Sequence, residues 1–186
     1  MSWYSDKQFI RFVITFLVLF LVFYLGTQFW IGLAAPGGLY SPFVEHHLDY
    51  ISWIRKLLMK GAAFVASWVG YDTIEEPGYL VRVVGKRGVI IAFDCVGYGV
   101  YSFWAALMLA YQQSWKRKLI WIILGLLLLY TINQLRIGLF LVAINKGWKM
   151  PLGWDHHTWF NIVAYGAILI MLFFLGKAGN NFTAKN

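Results

Sequence analysis

Residues 119–144 read LIWIILGLLLLYTINQLRIGLFLVAI. Wound as an α-helix at about 1.5 Å per residue, this run is long enough to cross a hydrocarbon layer about 30 Å thick. Its strongly polar members, Asn133, Gln134 and Arg136, are gathered in a single turn of its second half. Three further runs, 12–33, 96–111 and 159–176, are apolar enough to be read the same way, although 96–111 is short and could begin a turn earlier, within 89–93. The expected architecture is therefore an all-α integral membrane protein, one transmembrane domain over residues 1–186 with about four spans. Composition agrees, since 60% of the residues are hydrophobic and only 13% charged, outside the usual range of soluble domains. Ten Trp, eleven Tyr and fifteen Phe suit helix ends lying in the membrane interface. The run 12–33 is too long for a signal-peptide core and Ala34-Ala35-Pro36-Gly37 is a poor cleavage site, so it is expected to stay as an anchor.

Basic residues set the expected orientation. Lys7 and Arg11 precede the first run, Lys116, Arg117 and Lys118 separate the second from the third, and Lys177 and Lys185 follow the last. The positive-inside bias then makes both termini cytoplasmic and puts the chain in the cytoplasmic or inner membrane. Seven of the eight acidic residues fall outside, Asp6 being the exception. The formal charge of +8 does not point to nucleic acid, because no clustered basic face or binding module accompanies it. A single cysteine excludes an internal disulfide.

The segment 34–94 is expected to be extracytoplasmic. Within it, 48–69 reads as helical, with Arg55, Lys56 and Lys60 in its first half. A full crossing there would carry Lys116, Arg117 and Lys118 outside, so an interfacial or re-entrant helix is expected instead. Asp72, Glu75, Glu76, Pro77 and Gly78 form a turn-rich polar stretch, and 79–84 with 88–91 read as a small β-hairpin around Gly85-Lys86-Arg87. The hairpin's second strand leads directly into Asp94 and Cys95.

Three positions are expected at one depth. Cys95 opens the second span from outside, where a helix N-terminus would favour a thiolate. Gly97 and Gly99 would let a substrate backbone come close to the sulfur. Arg136, 17 residues after Leu119, lies about 25 Å up its span, near the outer interface. An arginine in a span is costly without a partner, which makes it a candidate functional residue, and Asn133 lies one turn before it on the same face. His156 and His157 precede the last span, and either could exchange a proton near neutral pH. A metal site would have to draw on His46, His47, His156, His157, Asp155 and Glu45, whose spacing matches no recognisable ligand pattern, so no metal and no cofactor is expected.

Asp94-Cys95-Val96-Gly97, Asn133-Gln134-Leu135-Arg136-Ile137 and His156-His157-Thr158-Trp159-Phe160-Asn161 together resemble the three ordered motifs of the exosortase/archaeosortase family. The resemblance implies a membrane cysteine peptidase or transpeptidase, with Cys95 as nucleophile, Arg136 as stabiliser of thiolate and oxyanion, and His157 as acid/base group in preference to His156. Asp94, Asn133, His156 and Gly97 would be supporting or substrate-binding residues. Its implied partners are the lipid bilayer and secreted surface proteins with a C-terminal sorting signal that includes a membrane helix. The signal would be cut at the outer interface through a thioacyl intermediate, and a lipid or glycan is one acceptor the resemblance allows. Val96 stands where many members have serine, which bears on subfamily and substrate rather than chemistry. Two other readings of the same residues are a non-enzymatic membrane binding or assembly subunit, and an acyltransferase carrying a lipid acyl group on Cys95.

Overall fold

The computed structural model describes residues 7–37, 39–148 and 151–183, with side chains described for these residues except Pro151 and those beyond Leu175. Asp6 and Lys185 lie outside the described residues, as does the side chain of Lys177. The chain forms helices α1 (Lys7–Ala34), α2 (Pro42–His47) and α3 (Tyr50–Ser67), strands β1 (Thr73–Glu76), β2 (Leu80–Val83) and β3 (Gly88–Ile90), then helices α4 (Tyr98–Ala110), α5 (Trp115–Lys146) and α6 (His156–Thr183).

Among the described residues, α1, α5 and the part of α6 over His156–Leu175 are long and apolar enough to cross a membrane. Their surfaces say the same. Leu17, Val18, Leu21, Val22 and Leu25 of α1 are all exposed, and Ala34 is that helix's buried residue. An apolar helix exposed on most of its surface is stable only where the surrounding solvent is itself apolar. The 13 residues of α4 span about 20 Å, less than the hydrocarbon thickness. It is nevertheless a central element: Phe103 packs edge-on against Phe16 and Phe20 of α1, and Trp104 is fully buried, its Nε1–H donating to Trp121 O at 3.0 Å.

Two apolar cores are built on α5. In one, Leu58, Met59 and Ala62 of α3 and Val81, Val83 and Val89 of the sheet meet Ile137, Leu141 and Val142 of α5. In the other, Trp104 and Met108 of α4 and Phe160, Ala164 and Ile168 of α6 meet Leu129. Helices α3 and α5 approach so closely that a methyl group on Gly138 would run into Val65, and one on Gly61 into Gln134.

The external segment has a three-stranded antiparallel sheet in the order β1-β2-β3, where a two-stranded hairpin was expected. The added strand comes from the polar stretch read as a turn. It is an edge strand, so Glu75 and Glu76 keep contact with water while their backbone pairs with Val81 and Leu80. Glu76 also binds Arg82, Oε1 to Nε at 2.8 Å. The sheet is tied to α5 by Asn145, which accepts from Arg87 N at 2.9 Å and donates to Arg87 O at 3.1 Å.

Candidate functional site

Cys95 does not sit on an α-helix N-terminus as the sequence reading expected. It lies in a 3-10 turn, Phe93–Val96, and Gly97 in the left-handed region (φ 80°) separates that turn from α4. Glycine is needed there because other residues adopt this conformation at a cost. A Cβ at Gly97 would also stand 3.4 Å from both Asn133 Nδ2 and the Phe160 ring, so side chains rather than free space occupy that approach. Cys95 is 6% exposed and belongs to the core formed by α3, α5 and the sheet.

A short 3-10 turn leaves carbonyl groups without backbone donors, and buried carbonyls need partners. Helix α5 supplies them. Asn133, fully buried, donates through Nδ2 to Cys95 O at 2.8 Å and to Val96 O at 3.0 Å, which fixes its amide orientation. One turn further along, Arg136 Nη2–H donates to Cys95 O at 3.2 Å. The second nitrogen of the same fork, Nη1, lies 2.8 Å from His157 Nδ1. Arginine can only donate, so His157 Nδ1 accepts and the neutral ring carries its proton on Nε2. The face of Phe160 lies 4.7 Å from the guanidinium carbon. The Arg136 Nε–H is buried with no hydrogen-bond partner among the described residues.

His156 and His157 lie inside the first turn of α6 rather than before it. Asp155 caps the helix, accepting through Oδ1 from the N–H groups of His157 (2.7 Å) and Thr158 (3.0 Å), and through Oδ2 from the Thr158 hydroxyl at 2.6 Å. Those bonds, the Thr158 hydroxyl first, hold the Asp155 carboxyl down at about 2. The two rings stay side by side, their centroids 4.2 Å apart, but take different partners. His157 meets Arg136, whereas His156 stacks on Phe140 with ring centroids 4.0 Å apart and planes at 14°. Asp94 is in electrostatic contact with both His157 and Tyr24 of α1. Asp94, Gly97, Gly99 and His157 border a cavity of about 270 Å³, and Arg136, His156 and Phe160 border a mostly apolar one of about 580 Å³ between α5 and α6.

The structure thus brings Cys95, Asn133, Arg136 and His157 into one cluster, with Asp94 and Gly97 beside it and the His156 ring next to that of His157, stacked on Phe140. Asp155 entered the sequence reading only as a potential metal ligand. Its position three residues before Thr158, at the start of a long apolar run, is a helix-start signal that could have shown its capping role. Sequence reasoning also missed Arg55. This α3 residue is buried, at 8% exposure, and its Nε–H donates to Ile91 O at 2.7 Å on the opposite flank of the cysteine turn. Its spacing, four residues after Ile51 and three and four before Leu58 and Met59, puts it on the apolar face of the helix, which Lys56 and Lys60 do not share.

The family model for transmembrane exosortases matches residues 2–174, and the chain belongs to that family. It is therefore a membrane protein of the exosortase class. Neither a curated protein nor a solved structure matches it.

Proposed function

We propose that the chain is a cysteine transpeptidase or protease that cleaves a C-terminal sorting signal of secreted surface proteins through a thioacyl intermediate on Cys95. The observation that carries this reading is the Arg136 fork, which holds the carbonyl of the cysteine with one nitrogen and the imidazole of His157 with the other. Such a fork has the donor geometry for an anion and keeps its charge at any working pH.

The resting bond between Arg136 and His157 sets the order of proton movements. His157 Nε2 already carries a proton and Nδ1 accepts from Arg136, so the ring receives the thiol proton at Nδ1 as that bond opens. Two like charges then part, and the freed Nη1–H turns toward the sulfur and the oxyanion. Sγ attacks the scissile carbonyl carbon, the C–N bond breaks, and the leaving amine takes the proton from Nε2 of the imidazolium. The neutral ring keeps its proton on Nδ1. In the second half, the acceptor's nitrogen, or water, attacks the thioester carbon and gives its proton to Nε2. The C–S bond breaks, Nδ1 returns its proton to sulfur, and the resting pair re-forms.

Orientation belongs to the same proposal. Lys7, Arg11 and Lys118 gather around one cavity of about 550 Å³ at the far ends of α1 and α4, and the positive-inside bias makes that end cytoplasmic. The cysteine turn, at the other end of α4, then works at the extracytoplasmic rim of the cell membrane. The short α4 is the fourth, incomplete crossing, and α3 lies in the interface.

The test is co-expression with a surface protein that bears a candidate C-terminal signal. Processing by the native chain is expected, with an acyl adduct on Cys95 visible in the intact mass. Cys95→Ala should remain in the membrane and process nothing; normal processing by Cys95→Ala ends the proposal.

A further inference from the structure

Arg55 reaches the residues that lead into the cysteine turn from α3, and none of the three motifs includes it. Its guanidinium carbon lies 3.5 Å from the centroid of the Tyr79 ring and 4.4 Å from that of Phe93, so it is clamped between two aromatic faces. Tyr79 is itself held at a positive φ of 62°, which a tyrosine adopts at a cost, and its carbonyl accepts from Ile91 N at 2.8 Å. The clamp is thus a rigid assembly of Tyr79, Ile91 and Phe93, whose last member begins the turn that carries Cys95. Among the described residues no carboxylate stands within ion-pair distance of Arg55. Burying a guanidinium without an anion is costly, and stacking on aromatic rings offsets only part of that cost.

We propose that Arg55 is a positioning residue for Cys95. It fixes the turn against α3 through Ile91 O and holds a second positive charge over Phe93, two residues before Cys95, so that two arginines from two helices share the charge that develops on the sulfur. The inference rests on the reading of Cys95 as the reacting group. Burial pulls the Arg55 guanidinium below its ordinary value while Tyr79, Asp49 and Cys95 act in the opposite sense. The other titratable or charged groups facing this region are Tyr101 of α4, Tyr130 and Arg136 of α5, His157 with its cap Asp155, and Asp94 in the turn itself. None of them changes in the variants below.

Because Cys95 is the only cysteine, alkylation of the full-length protein in detergent by iodoacetamide, followed by intact mass across a pH series, reports this sulfur alone. Removing a nearby positive charge disfavours the thiolate, so Arg55→Gln should move the midpoint of the rate profile to higher pH and slow alkylation near neutrality about tenfold. Arg55→Met fills similar space without a charge and should do the same, which serves if the glutamine variant does not fold. Arg55→Lys should lower the melting temperature, by losing the Ile91 bond, yet keep the midpoint near that of the native chain. Arg82→Gln, at a partly exposed sheet position, should leave the profile alone. A profile for the uncharged variants that superimposes on the native one, or a native thiol that reacts at no pH, overturns the proposal. The readout needs no substrate. A shifted profile in a chain that processes nothing would count against the transpeptidase reading and leave the role of Arg55 standing.

Discussion

The two flanks of the cysteine turn are each gripped by an arginine, and they differ in what the arginine can give up. On the α3 flank, Arg55 is packed between Tyr79 and Phe93 and bonded to Ile91 O, an arrangement with no titratable hydrogen-bond partner and no obvious second position. On the α5 flank, Arg136 divides its fork between a carbonyl and an imidazole and borders an apolar cavity. One guanidinium is locked and the other has an alternative. The difference lies in what each guanidinium could do if its surroundings changed protonation. Arg55 is buried and Arg136 half-buried, and only Arg136 has a partner whose own protonation can release it.

The comparison breaks most sharply at Arg136. Arg136→Lys keeps the charge but cannot hold the Cys95 carbonyl and His157 at once, and processing is expected to fall about 100- to 1000-fold, measured as the rate of signal cleavage in membranes. A lysine that works as well as the arginine would show that the divided fork is not needed. Next come the paired histidines. His157→Gln should cost about 100-fold or more in the same assay, because the proton carrier is lost, whereas His156→Gln, which removes a ring stacked on Phe140, should leave processing near the native rate. Equal losses would mean that α6 presents the two rings interchangeably.

A smaller effect is expected at Asn133. Asn133→Leu strips Val96 O of its side-chain donor and leaves Cys95 O to Arg136 alone, a loss of about 1–3 kcal/mol in stability readable as a lower melting temperature in detergent. The smallest expected effect is at the cap. Asp155 is held at about 2 in the folded chain, below the ordinary carboxylate range, so its contribution is complete above about pH 4 and is lost as pH falls through about 2. The melting temperatures of the native chain and Asp155→Asn should therefore differ at neutral pH and converge in acid. A gap that persists at low pH would show that the cap does not depend on the carboxylate charge.

Much of this arrangement was legible in the primary structure because membranes simplify it. A run such as 119–144 has few stable options in hydrocarbon besides a helix, and Asn133 and Arg136 are conspicuous in it because polar groups there are expensive. The strand Thr73–Glu76 was not legible, since an edge strand facing water carries the same polar residues as a turn. Nor was the left-handed Gly97 that cuts the cysteine turn away from α4, because the apolar pattern continues unbroken across it. His156 and His157 are adjacent in sequence, and only the cap at Asp155 and the stack on Phe140 distinguish them.

Sequence alone determined that this chain belongs in a lipid bilayer and that its candidate site residues fall in three short stretches near the ends of apolar runs, because hydropathy and helical rise are local properties. Tertiary structure decided which guanidinium touches which carbonyl, which imidazole meets Arg136, and that α3 contributes an arginine of its own. Those outcomes depend on close approach between α3 and α5 and on buried carbonyls seeking donors, and both link residues far apart in the chain.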